Sequence, residues 1–345
     1  MTARSLESYY KIDGDGLERA YKEHLSGYRQ WIEGVHADKY LVFPENVGLY
    51  MSIDETSTKD GELFTILSNK DRHCKKGSIA AIIRGTRIKD VTEALMQIPE
   101  DVRMRVIEVT LDFSGSMAAI VESAFPWADR TLDRFHMHRM AIDALNDLRN
   151  KYRREAMAEE AAARKEHGCK ERERLRKNKK FYHDFLGRPL PKPRPYIPKQ
   201  LANGDTVPEL LVRSAYLLRM SADKWSDTQK ERASILFDLY PEIKQMYGLT
   251  HSLRMIFNNK KATIASAKSS LHAWYQKALA VNNENINTMV ATLQSREEEV
   301  LNFFKFRSTN ASAEALNSKI KAFRAQLRGI VDLKFFLFRL TRIYA

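Results

Sequence analysis

The sequence predicts an α/β protein, a mixed five-stranded sheet interrupted by a long all-helical insertion before the last helices return to it. Three observations carry that prediction. From Val47 to Ile83, apolar and β-branched runs alternate with Gly boundaries. Two later strand-like runs are each preceded by a helical stretch that ends at proline. From Met140 to about residue 305 the apolar period is helical almost throughout.

Residues 1–46 read as short helices, Ser5 to Lys11 and Leu17 to Leu25, on either side of a Gly14/Gly16 turn. The pair fits the last two helices of a helix-turn-helix, or equally a pair of linker helices. The first part of the α/β core spans 47–150. Its first strand is Val47-Gly48-Leu49-Tyr50-Met51-Ser52-Ile53-Asp54, which ends in an acid. Leu63 to Leu67 and Ser78 to Ile83 follow as strands, bounded by Gly61, Gly77 and Gly85. A helix from Ile88 to Ile98 stops at Pro99, and Val106 to Asp112 makes a fourth strand that again ends in an acid. A helix from Met117 to Phe125, stopped by Pro126, leads to a fifth strand, Arg130 to Phe135. Crossovers through helices require parallel pairing of the later strands.

Met140, Ala144, Leu145 and Leu148 then open a helix whose later turns, Lys151 to Lys180, are charged and alanine-rich. Five of the ten prolines lie in 189–198, which predicts a stiff extended linker within the helical insertion 151–305. Amphipathic helices resume with Leu210 to Met220, Thr228 to Leu239 and Leu271 to Ala280, where Trp274 and Tyr275 read as core. Residues 306–345 supply two last helices, Ser312 to Arg328 and Ile330 to Ile343, which return to the α/β core.

Composition narrows the function. The chain has 345 residues, 57 Lys+Arg against 44 Asp+Glu, and a formal charge of +13. The excess is concentrated: residues 149–199 hold 17 Lys or Arg against 7 Asp or Glu. Such a surplus suits a polyanion, because phosphate binding is driven by counterion release. Arg172, Arg174, Arg176, Lys177, Lys179 and Lys180 are the candidate DNA contacts in this stretch. A hydrophobic content of 43% excludes a disordered tail. Cys74 and Cys169 alone make neither a disulfide framework nor a cysteine zinc site, and predict a reducing, cytoplasmic setting. Met1 to Tyr10 has no apolar leader, and Ile330 to Ala345 is broken by Asp332, Lys334, Arg339 and Arg342, so no membrane span is expected.

Two acids, Asp54 and Asp112, close apolar strands. In open α/β sheets ligands bind beyond the carboxyl ends of parallel strands, so neighbouring strands would place this pair to hold a metal. Glu55 points to the opposite face, and Glu108 lies further back along its strand. A third acid, Glu314, opens the helix whose apolar stripe is Leu316, Ile320, Phe323 and Leu327. The small Ala311, Ala313 and Ala315 around it allow close approach to a sheet edge; the same glutamate could instead simply complement the helix dipole.

Four blocks carry a resemblance. Ser52-Ile53-Asp54-Glu55-Thr56-Ser57, Thr110-Leu111-Asp112-Phe113-Ser114, Asp133-Arg134-Phe135-His136, and Thr309-Asn310 through Glu314 to Asn317-Ser318-Lys319-Ile320-Lys321 are similar to signature blocks of bacterial insertion-sequence DDE transposases of the ISL type. That family belongs to the RNase H-like, retroviral-integrase superfamily. The similarity covers roughly residues 47–150 and 300–345, and a helical insertion between the second Asp and the Glu is also found in that family. The resemblance implies an RNase H-like fold with Asp54, Asp112 and Glu314 as the catalytic triad, holding Mg²⁺ or Mn²⁺, two ions in all. It implies metal-dependent cleavage at the element's ends and transfer of the freed 3′-OH into target DNA.

The same resemblance gives Asp133 and His136 a secondary place near the site, and puts Lys319, Lys321, Arg324 and Arg328 where they could contact phosphates. It implies double-stranded DNA, both inverted-repeat ends and target, as partner, and a homodimer or higher synaptic assembly on it, bacterial and nucleoid-associated. The chain departs from the family in having Ala311 and Ala315 where Gly is common, and in lacking the zinc-binding cysteines and full helix-turn-helix of the usual N-terminal region. A separate N-terminal recognition polypeptide, or a copy without end recognition, is the corresponding expectation. The alternatives to a transposase are a repurposed DNA-binding protein with a dead site and an RNase H-fold nuclease without strand transfer.

Overall fold

The computed structural model describes residues 3–57, 61–182, 192–327 and 329–345. They form two compact units. The first comprises Met1–Met137, Ala262–Lys268 and Leu293–Ala345, and the second His138–Lys261 and Ser269–Thr292.

The first unit is built on a six-stranded mixed sheet of order β1-β4-β3-β2-β5-β6. β2 (Tyr50–Ser57), β3 (Leu63–Asn69) and β4 (Ile79–Arg84) form an antiparallel meander. β5 (Glu108–Leu111) runs parallel to β2, and β6 (Asp129–Leu132) parallel to β5. The parallel pairs follow from helical crossovers, α3 (Ile88–Leu95) with α4 (Glu100–Arg103), and α5 (Gly115–Ala124). The sixth strand, β1 (Tyr40–Val42), pairs with β4 at the edge. Three residues are too few for an alternation to stand out in sequence.

Two of the boundaries that differ from the sequence expectation concern acids. β2 continues beyond Asp54, because Glu55, Thr56 and Ser57 stay paired with Thr65, Phe64 and Leu63. β6 stops at Leu132 instead of reaching Phe135. The Asp133 N–H still donates to the Leu111 carbonyl at 3.0 Å, but the Asp133 carbonyl accepts from the Met137 N–H at 3.4 Å, so the ladder ends and a helix begins at this residue. Phe135 is 54% exposed, so its apolar character marks no sheet position. The helix, α6 (Arg134–Tyr182), therefore carries His136 in its first turn.

Strand pairing assigns the two faces of the sheet. Ser52, Asp54 and Thr56 lie opposite Ser68, Ile66 and Phe64, and so share their face. That face is covered by α13 (Ala311–Gln326) and α14 (Leu333–Tyr344): Phe64, Ile66, Ile79 and Ile82 pack with Leu316, Ile320, Phe336, Leu337 and Leu340. The stripe read from sequence on α13 is the one buried, with Phe323 and Leu327 at its margin. α1 (Ala3–Tyr10) and α2 (Gly14–Ala20) precede a segment whose Tyr28 and Trp31 pack on Phe338 of α14. Lys22 pairs with Asp332 at 2.6 Å. α12 (Glu297–Phe306) packs along β6, with Asn302 Nδ2 donating to the Arg130 carbonyl at 2.8 Å and Glu299 paired with Arg130 at 3.0 Å.

The second unit is helical. It holds the rest of α6, then α7 (Val207–Leu217), α8 (Asp227–Leu239) and α9 (Pro241–Asn258), and most of α10 (Ile264–Leu279) and α11 (Glu284–Ser295). Thr206 and Ser226 start α7 and α8 with capping boxes. Trp274 and Tyr275 are buried, as expected of core, and Trp274 Nε1 donates to the Leu249 carbonyl at 2.9 Å. The Pro-rich segment is neither helix nor strand where it is described, from 192 on, with 189–191 outside the described residues. It lies back on α6: the Arg194 N–H donates to Glu171 at 2.9 Å, and the Arg164 guanidinium sits 5.7 Å from the Tyr196 ring centre.

Candidate active site

Three aspartates stand in one row across the parallel strands. Ser52, Thr110 and Thr131 are in register on β2, β5 and β6. Two residues further along each strand direction are Asp54, Asp112 and Asp133. Asp54 lies on the face that α13 covers, Asp112 and Asp133 follow the last residues of β5 and β6, and the Asn310 N–H just before α13 donates to Asp133. The row owes its level to the parallel register, which a hairpin would have reversed.

A hydrogen-bonded segment brings α13 over this row. Asn310, fully buried just before the helix, accepts from the Ser52 hydroxyl through Oδ1 and donates its backbone N–H to Asp133 Oδ1 at 3.3 Å. Below it, Lys70 Nζ donates to Glu108 Oε2, Thr110 Oγ1 and Ser308 Oγ, each at 2.7 Å. An ammonium has three donors, so this buried cation is fully satisfied. Burial lowers its pKa from the usual lysine range, and the Glu108 carboxylate opposes that shift. Nearly two turns into α13, Asn317 Nδ2 donates to Asp54 Oδ2 at 2.8 Å. Glu314 is three residues before Asn317 and therefore shares its helix face.

The electrostatics follow from this crowding. Burial pushes the Asp54 carboxyl up to about 6, with Asp112 and Glu314 adding to the shift while the Glu55 N–H and His136 oppose it. The Glu314 carboxyl is raised by burial and by Asp133, with His136 again opposing. Asp112 is held differently, its Oδ1 accepting from the Ser114 N–H at 2.8 Å at the start of α5. One ligand atom each of Asp133, His136 and Glu314 lies within 4.8 Å of the others.

A family profile described as transposase, of the ISL3-type DDE kind, matches residues 51–340. The chain belongs to the ISL3-type DDE transposases. No curated protein and no solved structure matched it. The mixed sheet of this transposase, with its helical insertion, is RNase H-like. DDE transposases generally use divalent metal ions. The site's donors suit such ions: hard carboxylate oxygens, one of which, Asp133 Oδ2, is buried with no hydrogen-bond partner among the described residues. Among the described residues, no helix is long and apolar enough to cross a membrane.

Of the residues singled out from sequence, Asp54, Asp112, Asp133, His136 and Glu314 converge on one face of the first unit. The basic candidates fare unevenly. Lys319 Nζ is engaged with the Cys74 carbonyl at 3.0 Å, while Lys321 is exposed and Arg324 half-buried on α13. On α6, Arg174 is paired with Glu171 and the exposed Lys177 with Glu173 at 2.8 Å, the exposed Arg172 donates to the Gly168 carbonyl at 3.2 Å, and Arg176 is exposed. Arg328, and the side chains of Lys179 and Lys180, lie outside the described residues. Sequence reading missed Asn310, Asn317, Lys70 and Glu108. The two asparagines stand inside a signature block, flanking the acid at helical spacing, which was a usable signal. Lys70 gave none, because a lysine in a turn between strands reads as surface.

Proposed function

We propose that this transposase cuts DNA strands at the ends of its insertion sequence and joins the freed 3′-OH to target DNA, with Asp54, Asp112 and Glu314 as its catalytic acids. One observation carries the reading: Asp54 and Asp112 stand level on adjacent parallel strands, and α13 brings Glu314 over them through the bond from Asn317 to Asp54. In this class of reaction two divalent ions, Mg²⁺ or Mn²⁺, about 3.5–4 Å apart, supply Lewis acidity at the attacking and leaving oxygens. Asp54 and Asp112 would hold them from the sheet and Glu314 from the helix.

The protein's own part is positioning. Asn317 and the Glu55 N–H fix both oxygens of Asp54, and the Ser114 N–H fixes one oxygen of Asp112. The Asn310 and Lys70 bonds hold the segment that starts α13, so Glu314 is delivered on a restrained helix and not on a loose loop. Arg172 and Arg176 on α6, and Lys321 and Arg324 on α13, are proposed to contact backbone phosphates of the inverted-repeat ends and target. Synapsis of two ends calls for a dimer or larger assembly.

The test is Mg²⁺- or Mn²⁺-dependent cleavage and joining of DNA carrying the element's ends, comparing the wild-type chain with Asp112→Asn. Joining that vanishes in the variant is expected. Cleavage without joining assigns the site to a nuclease, and DNA binding without cleavage in either chain assigns it to a binding protein.

A further inference from the structure

Asp133 is the acid that the triad does not use. It is 1% exposed, more deeply buried than any triad member, and its two oxygens are treated unequally. Oδ1 accepts the Asn310 N–H, while Oδ2 finds no hydrogen-bond partner among the described residues. A buried carboxylate oxygen left without a donor is costly unless a positive group reaches it. Two half-buried groups reach toward that carboxylate. His136 stands one helical turn after Asp133, and Glu314 comes from the opposite side on α13, all three ligand atoms lying within 4.8 Å of each other. An ion binding oxygen at roughly 2.0–2.6 Å spans up to about twice that between opposite ligands, so this triangle closes on one ion with sub-ångström adjustment.

We infer that Asp133, His136 and Glu314 form a metal position of their own, one strand away from the Asp54–Asp112 pair and selective for a divalent transition ion over Mg²⁺. The inference deepens the transposase reading and rests on it, since Glu314 is shared between the triad and this position. The selectivity comes from the donor set: two carboxylates and an imidazole hold Mn²⁺ and its later neighbours in the row better than Mg²⁺, which prefers oxygen and water. The Asn310 bond to Oδ1 orients Asp133 as an outer partner orients a ligand.

The experiment is Mn²⁺ titration of the full-length chain, without DNA, read by pulsed electron paramagnetic resonance. The wild type should show ¹⁴N coupling to bound Mn²⁺. His136→Gln should lose that coupling and bind its tightest Mn²⁺ about tenfold or more weakly, and Asp133→Asn should do the same. Asp112→Asn should keep the ¹⁴N coupling while losing strand joining. A wild type without the coupling, or a His136→Gln chain that retains it, overturns the inference. Joining that survives in Asp112→Asn overturns the triad reading instead, so the two failures are distinguishable.

Discussion

Asn317 donates to Asp54 Oδ2 at 2.8 Å across 263 positions of sequence, and this bond ties the last quarter of the site to its first strand. It acts on a carboxylate whose other oxygen is already held by the Glu55 N–H, so the plane of Asp54 is set from both sides. Asn317→Ala leaves every acid in place and frees one oxygen. Partners of this outer kind are worth about 10- to 100-fold in metal affinity or activity. The Mn²⁺ concentration giving half-maximal cleavage should rise by that factor in Asn317→Ala, with Asn317→Gln recovering part of it. An unchanged metal requirement would falsify the assignment.

Asp54 sets a pH dependence of stability. Its carboxyl is raised from 3.8 to about 6 in the folded chain. The stabilisation that comes with its protonation is complete below 3.8 and lost as pH rises through about 6. In chelator-treated protein, wild type should lose up to about 3 kcal/mol relative to Asp54→Asn between pH 4 and pH 7.5. Calorimetry across that interval checks it. Equal pH profiles for the two chains would show that the burial of Asp54 carries no such cost.

Lys70 is expected to be a stability residue. Lys70→Met leaves Glu108, which is fully buried, without its cation and should cost about 3–5 kcal/mol. The double replacement Lys70→Met with Glu108→Leu removes both charges and should recover most of that loss. Urea unfolding of the three chains decides the matter, and a single replacement costing less than about 1 kcal/mol would mean that water reaches Glu108.

On α6, Arg172→Gln and Arg176→Gln should each weaken duplex binding alike for any sequence and lower the salt slope by about 0.9 per lost phosphate contact. Lys177→Gln should change the slope less, because Glu173 already holds its ammonium. Binding isotherms between about 50 and 200 mM salt provide the measurement. A slope that stays at the wild-type value in both arginine variants places the DNA elsewhere.

Much of the fold was legible because the signals are local. Alternation marks β2 to β5, Pro99 and Pro126 close the crossover helices, and the i, i+4 stripe of Leu316 and Ile320 marks the buried side of α13. Asp54 and Asp112 were legible as strand-borne acids. What escaped was non-local or ambiguous over a short window. β1 exists only because β4 offers it an edge. The Arg130 to Phe135 run fits a strand or a helix start, and Asp133 decides between them through one ladder bond and one helical bond. The shared level of Asp54, Asp112 and Asp133 depends on register, which no single strand encodes. Lys70 became a buried cation because Glu108, Thr110 and Ser308 meet it in three dimensions, from positions 38, 40 and 238 residues away.

The return of α13 and α14 to the sheet also governs when the protein can act during its own synthesis. Phe64, Ile66, Ile79 and Ile82 have their apolar cover on α13 and α14, which leave the ribosome about 230 residues or more after those strands, and Glu314 leaves it with them. A nascent chain halted after α12 would carry the aspartate row on an uncovered sheet, a target for chaperones and proteases, with neither Asn317 nor Glu314 to complete the site. On the proposed catalytic reading, cutting competence therefore arrives together with the cover of the sheet.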